Sequence, residues 1–479
     1  MHTYQEDKVV QKNRWWILVA VSMFTFMSTL DGSIVNIALP TISKDMQVPM
    51  NQSEWIVSIY LMMVCACLLL FGKIGDSWGK IKIYRIGTLI FVIGSLLCGF
   101  NHSLTFLLFA RVIQALGAAM TMATNTGIIT EVFPMNERGR ALGMIGAFVS
   151  LGSIAGPGLG GLILAHFSWA YIFWINVPVG IITMLISEKF LPKDITLSTE
   201  KIDMGGFAAV AATIMTFFGG VFLGQEHGFL TPIPLALFIL AVISFFIFLY
   251  VEKKVKLPLI TFSIFKNKVF TMSLVTALLI FSSNFFVNVV IPFYLQSARG
   301  LSPSYAGLLM MVFPFLMVIG SPLSGYLTDR VGPEILVLIG LVMLSVTQLM
   351  YMFMHADSPL WYYVVATAIM GLGNSLFQSP NNTMVMSSVT KENLGVAGSL
   401  NSFARNLGMV VGISLATTIL YNAMSSKMGE RVTTYIAKRP DVFIYGMKIT
   451  FLGSFLLCLA ALLLTLYRVK KQGGIRKHV

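Results

Sequence analysis

The chain has 479 residues, of which 56% are hydrophobic and only 11% charged. Soluble domains carry about 25% charged residues, so an ordinary soluble protein is excluded, and the high hydrophobicity excludes intrinsic disorder. The net charge of +13, from 33 Lys and Arg against 20 Asp and Glu, fits a nucleic-acid partner or the positive bias of cytoplasmic membrane loops; where the charges fall decides.

In chain order, runs of about 20 mostly apolar residues, the length of a membrane helix, begin at Trp15–Leu39, Glu54–Gly75, Ile83–Phe100, Leu104–Phe133, Leu142–His166 and Tyr171–Ile186. Met204–Leu223 and Pro232–Val251 follow, then Val269–Leu295, Tyr305–Leu327, Ile335–Met354, Leu360–Val389, Val396–Ala423 and Tyr445–Leu466. The first run is too long for the apolar segment of about 7–15 residues in a cleaved signal peptide. Fourteen spans place both termini on one side. With that side cytoplasmic, 24 of the 33 Lys and Arg lie inside and seven outside, while Arg111 and Arg405 fall within spans. The positive-inside rule thus predicts cytoplasmic termini, and no nucleic acid is needed to explain the charge. The predicted fold is an all-α multi-pass membrane protein in the plasma membrane.

Gly72-Lys-Ile-Gly-Asp76-Ser-Trp-Gly79 follows the second span and Gly325-Tyr-Leu-Thr-Asp329-Arg-Val-Gly332 the tenth, 253 residues later. Both read G-x-x-x-D-x-x-G at a cytoplasmic turn. The repeat predicts two six-helix halves, 1–190 and 257–479, with a two-helix insertion at 191–256. Repeated halves with a midplane site are the architecture of secondary transporters.

Asp31, in the first span, is a carboxylate in the bilayer, which is costly and by default functional. At about 1.5 Å per residue it lies about 12 Å from Leu39, and Arg111 lies about 10 Å into the fourth span. The two opposite charges share a depth, as a proton-coupling pair or as a purely structural ion pair. Arg111, Gln114, Ala118, Thr121 and Asn125 form one helical stripe. In the C-terminal half, Asn284 and Asn288 lie four apart, and Asn374, Gln378 and Asn381 share a face. With Phe281, Phe285 and Phe377, and with Asp31, Gln114, Thr121 and Asn125, they form a candidate substrate cavity suited to amphipathic molecules and cations; helix-to-helix hydrogen bonding is the plainer alternative.

Gly152, Gly156 and Gly160 form a G-x-x-x-G-x-x-x-G face for close helix approach, with Gly161 beside it, and Pro157 kinks the helix. Asp76 and Asp329 begin turns where a carboxylate can cap the next helix. With Gly72, Gly79, Lys80, Gly325, Arg330 and Gly332 they form a candidate conformational latch, or an ordinary capped turn. Cys65, Cys67, Cys98 and Cys458 show no metal spacing, and no metal site is expected. Glu54, Glu131 and Glu226, near span ends, are open as second protonation sites.

These residues resemble the major facilitator superfamily and, within it, the fourteen-helix drug:proton antiporters, over nearly the whole chain. Asp31–Pro40 is similar to that group's first-helix motif, Gly72–Lys82 to the loop motif, and Arg111-x-x-Gln114-x-x-Gly117 to the fourth-helix motif. Gly152–Gly161 matches the antiporter motif that marks exporters. Trp169, Phe173, Asn176, Pro178 and Gly180 resemble the start of the sixth helix, and Pro292–Pro314 and Pro380–Gly412 the C-terminal patterns. Ser77 and Ile81 depart from the basic run of the loop motif, which weakens the latch unless Lys80 and Lys82 compensate, and Ala115 replaces a usual glycine. The resemblance implies proton-driven efflux of cationic or amphipathic drugs, with Asp31 as the responsive acid, Arg111 as its partner, protons in place of any cofactor, and a monomer as the expected unit. A dedicated exporter or flippase of one metabolite, peptide or lipid is the alternative; an enzyme is not expected.

Overall fold

The structure, a computed structural model, describes residues 4–100, 103–195, 203–255, 262–389, 394–436 and 439–471. Its helices follow the apolar runs, because in lipid every backbone N–H and C=O must be satisfied within the segment. They are α1 (Lys8–Asp45), α2 (Met50–Ser53 and Trp55–Trp78), α3 (Lys80–Cys98), α4 (Leu104–Val132), α5 (Met135–His166) and α6 (Tyr171–Trp174 and Asn176–Phe190). Next come α7 (Met204–His227) and α8 (Pro232–Lys254). The remaining six are α9 (Lys268–Phe293, extended by a π-turn at Tyr294–Ala298), α10 (Pro303–Met310 and Val312–Val331), α11 (Pro333–Met352), α12 (Leu360–Ser387), α13 (Leu394–Met428) and α14 (Pro440–Lys471).

Among the described residues, thirteen of these are long and apolar enough to cross a membrane. The remaining one, α5, has its apolar part at Leu151–His166, but its 32 residues make it about 48 Å long at 1.5 Å per residue. Helix α1 departs from the expected limit: it runs through Pro40 to Asp45. A proline inside a helix removes one hydrogen bond and crowds the preceding turn, which here does not end it.

The chain divides into two compact units. The first comprises Met1–Val35 and Trp55–Leu259, so α7 and α8 group with the first half. In it α3 packs along α4, α4 along α2, and α7 along α8. The α3–α4 contact is close because Gly87 and Gly117 interlock: a Cβ on Gly117 would lie 2.3 Å from the Phe91 nitrogen and 2.5 Å from the Gly87 oxygen. The second unit comprises Asn36–Glu54 and Ile260–Val479. There α11 packs on α12, and α9 on α13 and α14. Gly340 and Gly373 do for α11 and α12 what Gly87 and Gly117 do in the first unit, with a Gly340 Cβ falling 2.7 Å from the Gly373 oxygen. Gly87 and Gly340 are again 253 residues apart, so the repeat read from the loops extends into the packing.

Candidate functional site

The two charges that share a depth in the sequence meet in the first unit. Arg111 on α4 donates from Nη1 to Oδ2 of Asp31 on α1 at 2.7 Å. Two amides complete the carboxylate: Gln114 Nε2 donates to Oδ1 at 2.9 Å and Asn176 Nδ2, from α6, at 2.8 Å. The guanidinium also donates from Nε to the Ile56 carbonyl at 3.0 Å and from Nη1 to Gln114 Oε1. Its Cζ sits 4.2 Å above the Tyr60 ring and 5.5 Å from that of Phe173. Gln114 is held in turn by donating to Ser95 Oγ at 2.8 Å. Asp31, Gln114 and Asn176 are 0% exposed and Arg111 1%.

Small residues make this convergence possible. Gly94 of α3 lies against the backbone of Gln114, where a Cβ would stand 2.5 Å from its nitrogen. On the other side, the α5 glycines press on α1 beside Asp31. A Cβ on Gly152 would fall 2.6 Å from the Phe26 oxygen, and one on Gly156 would fall 2.9 Å from the Ile34 nitrogen and overlap Ser33 Oγ. Ser33 Oγ also donates to the Gly152 carbonyl at 3.1 Å. The small-residue face thus carries the backbone turn that holds the acid; Gly160 continues it as a buried residue beside Pro157.

A buried ion pair holds only if its remaining hydrogen-bonding capacity is met. Here both carboxylate oxygens are met, by one charged and two neutral donors. Asn176 and Ser95 complete the pair, and sequence reasoning did not place them in it. Asn176 was visible in the resemblance at the sixth helix, whereas Ser95 gave no signal.

The rest of the α4 stripe serves helix contacts in this arrangement. Thr121 Oγ1 donates to the Gly117 carbonyl at 2.9 Å, and Asn125 Nδ2 donates to Thr25 Oγ1 at 3.1 Å. In the second unit, Asn284 and Asn374 donate to each other's carbonyl oxygens at 2.7 and 3.1 Å. Asn381 Nδ2 donates to the Ser273 carbonyl at 3.3 Å, and Phe377 is 1% exposed. These four have the geometry of helix-to-helix packing. Phe281, Phe285, Asn288 and Gln378 are half-buried. Asn284 stands 253 residues after Asp31, so the second unit carries a neutral amide pair where the first carries a charged cluster.

The turn between α2 and α3 departs from expectation. Asp76 does not cap α3; it pairs with Lys80 at 2.8 Å along its own chain turn, and Lys80 also pairs with Glu131 at 2.7 Å. The cap is Asp194, from the segment after α6, whose Oδ1 and Oδ2 accept from the Ile81 and Lys82 backbone N–H groups at 2.9 Å each. Asp76 lies in the last turn of α2, so its carboxylate points along that helix, whereas Asp194 approaches the exposed N–H groups head on. Gly79 turns the chain at φ +105°, and a Cβ there would strike the Asp194 carboxylate at 2.3 Å. Gly332 repeats the turn at φ +90°. Among the described residues, a Cβ at Gly72 would meet nothing within 4 Å, and one at Gly325 would meet Ser379 at 3.8 Å. Arg330 lies 4.5 Å over the Tyr326 ring, while the Asp329 side chain is outside the described residues. Nearby, the Tyr4 hydroxyl donates to the Lys193 carbonyl and accepts from Ile195 N–H; burial raises its pKa to about 12.

Paired helical units, a glycine-mediated repeat and a sealed intramembrane ion pair define a membrane carrier built from two related halves. The profile of the Major Facilitator Superfamily matches residues 21–413 and 272–474, and the chain belongs to that family. It is 34% identical over 463 residues to the riboflavin transporter RibZ of Clostridioides difficile (strain 630), covering 96% of this chain and 98% of that protein. It is 28% identical over 421 residues to multidrug resistance protein 3 of Bacillus subtilis (strain 168), covering 88% and 82% respectively. Among solved structures, that of the peptide transporter POT in complex with sulfate superposes with a TM-score of 0.67 at 14% identity, covering 94% of each chain, a likeness of fold.

Proposed function

We propose that the protein is a proton-coupled carrier that exports cationic or amphipathic organic compounds by alternating access, lying in the plasma membrane with both termini cytoplasmic. The carrying observation is the Asp31 carboxylate, 0% exposed and bound by Arg111, Gln114 and Asn176. Sealed in this way it cannot meet a proton from water, so protonation requires the cluster to open. A proton on Asp31 cancels the charge that holds Arg111, leaving its guanidinium the Ile56 carbonyl, Gln114 Oε1 and the rings of Tyr60 and Phe173. Proton binding and helix rearrangement are thereby made interdependent, which a coupled carrier requires. The small-residue face of α5 against α1 and the likeness to multidrug resistance protein 3 support the export reading.

A second reading, dedicated carriage of one metabolite, is favoured by the 34% identity to a protein named as a riboflavin transporter across nearly the full length of both chains. In either reading, the purified chain in proteoliposomes should move its cargo uphill when a pH gradient is imposed. Asp31→Asn should abolish uphill movement while leaving cargo exchange without a gradient measurable. Uphill transport by this variant at the wild-type rate would overturn the proton assignment.

A further inference from the structure

A second intramembrane arginine differs from Arg111 in having no partner among the described residues. Arg405 lies on α13, inside the apolar span Leu400–Met428, and is half-buried. Among the described residues it makes no hydrogen bond, ion pair or ring contact. A structural arginine in a bilayer is expected to be neutralised, as Arg111 is by Asp31, or clasped, as Arg468 is by Ser273 Oγ at 2.8 Å and Met384. A charge at that depth without either points to a water-filled or cargo-filled path.

The neighbouring helix supplies a companion. Asn401 Nδ2 on α13 donates to Asn382 Oδ1 on α12 at 2.9 Å. Consecutive spans run antiparallel, so Arg405, four residues after Asn401, and Gln378, four residues before Asn382, each stand about 6 Å further along the membrane in the same direction. Gln378 is also half-buried and, among the described residues, likewise without a bonded partner. Two unengaged polar groups, a planar five-donor fork and a donor–acceptor amide, therefore share a depth on adjacent helices of the second unit. The half-buried rings of Phe281 and Phe285 stand beside the next turns of α13, their Cβ atoms 3.1 and 2.9 Å from where Gly408 and Gly412 would carry one.

We propose that Arg405 and Gln378 form a subsite for the negatively polarised, hydrogen-bond-accepting edge of a planar aromatic cargo, either a carboxylate or the paired carbonyls of a neutral heterocycle. It rests on the reading of the chain as a carrier of amphipathic organic molecules and narrows it: a cargo without an acceptor edge gains nothing from Arg405. The guanidinium fork suits paired acceptors in a way that a lysine point charge does not.

Binding to the detergent-purified full-length chain is read by fluorescence with three probes. Fluorescein is anionic, riboflavin is neutral with a carbonyl edge, and ethidium is cationic with no acceptor edge. Arg405→Gln should weaken fluorescein, riboflavin or both by about tenfold, the worth of a charge-assisted hydrogen bond, and leave ethidium within about twofold. Loss for fluorescein alone identifies a carboxylate subsite, and loss for riboflavin a carbonyl one. Arg405→Lys should restore fluorescein more fully than riboflavin. Equal loss of all three probes, no loss of either acceptor-bearing probe, or wild-type protein that binds neither of them overturns the subsite. Should Arg405→Gln not elute as a monodisperse species, Arg405→Lys and Gln378→Leu decide by the same comparison. Wild-type protein that binds the probes but moves none of them under a pH gradient refutes the transport reading while the binding comparison still judges the subsite.

Discussion

Three donors converge on the carboxylate of Asp31, and they are not equivalent. Arg111 brings charge, Gln114 is braced by Ser95, and Asn176 keeps a spare group: its Oδ1 is buried with no hydrogen-bond partner among the described residues. That spare acceptor gives Asn176 two ways to face Asp31. Its amide nitrogen donates to the carboxylate, and a half-turn about its terminal torsion would let its oxygen accept from a carboxylic acid. Asn176 is thus suited to both protonation states of its neighbour, whereas Arg111 serves only the charged one. Replacing it with leucine, similar in volume, removes one donor to a buried anion, a loss of about 1.5–3 kcal/mol. Asn176→Leu should lower the midpoint of thermal unfolding and let proton-driven transport reach half its maximum at higher pH than in the wild type. An unchanged pH profile would assign Asn176 to packing alone.

At the scale of the element, the start of α3 separates two carboxylates that the sequence could not rank. Asp194 meets two backbone N–H groups at the helix N-terminus, where a capping side chain is worth about 1 kcal/mol. Asp76 is half exposed and joined to Lys80 across the Gly79 turn, an exposed pair worth about 0.2–1 kcal/mol. Asp194→Ala should therefore destabilise the purified protein by more than Asp76→Asn, measured as the shift in thermal unfolding of matched samples. The reverse order would return the cap to Asp76. The helices themselves were legible because each is a long apolar run, and Asp31 and Arg111 because charge in such runs is rare. Asp194 was not, since it lies 113 positions from the N–H it meets in a segment without helical pattern. Ser95 and Tyr60 were hidden for another reason. Such residue types are common in membrane helices, and only the packing of α3 on α4 at Gly94 for Ser95, and of α2 on α4 for Tyr60, reveals which of them meet the charged pair.

For the whole molecule, orientation depends on parity as well as charge. Thirteen crossings would separate the termini and fourteen would bring them together, so the status of α5 is decisive. Its 32 residues, about 48 Å of helix, exceed the roughly 30 Å hydrocarbon core even though only part of it is strongly apolar. With fourteen crossings, the 24 Lys and Arg assigned to one side against seven on the other make cytoplasmic termini the expectation of the positive-inside rule. The internal repeat requires the same parity: the turns at Gly79 and Gly332 lie on one side only if an even number of spans separates them, and eight do. The four native cysteines are all buried, so an introduced thiol can be labelled against a low background. On intact cells, a membrane-impermeant maleimide should label Leu230→Cys, between α7 and α8, and Lys427→Cys, at the end of α13. Lys12→Cys and Lys254→Cys should react only after the membrane is opened. Labelling of Lys12→Cys from outside would invert the orientation, whereas labelling of Lys12→Cys and Lys427→Cys from the same side would show that the crossing number between them is even, contrary to the thirteen spans α1 to α13.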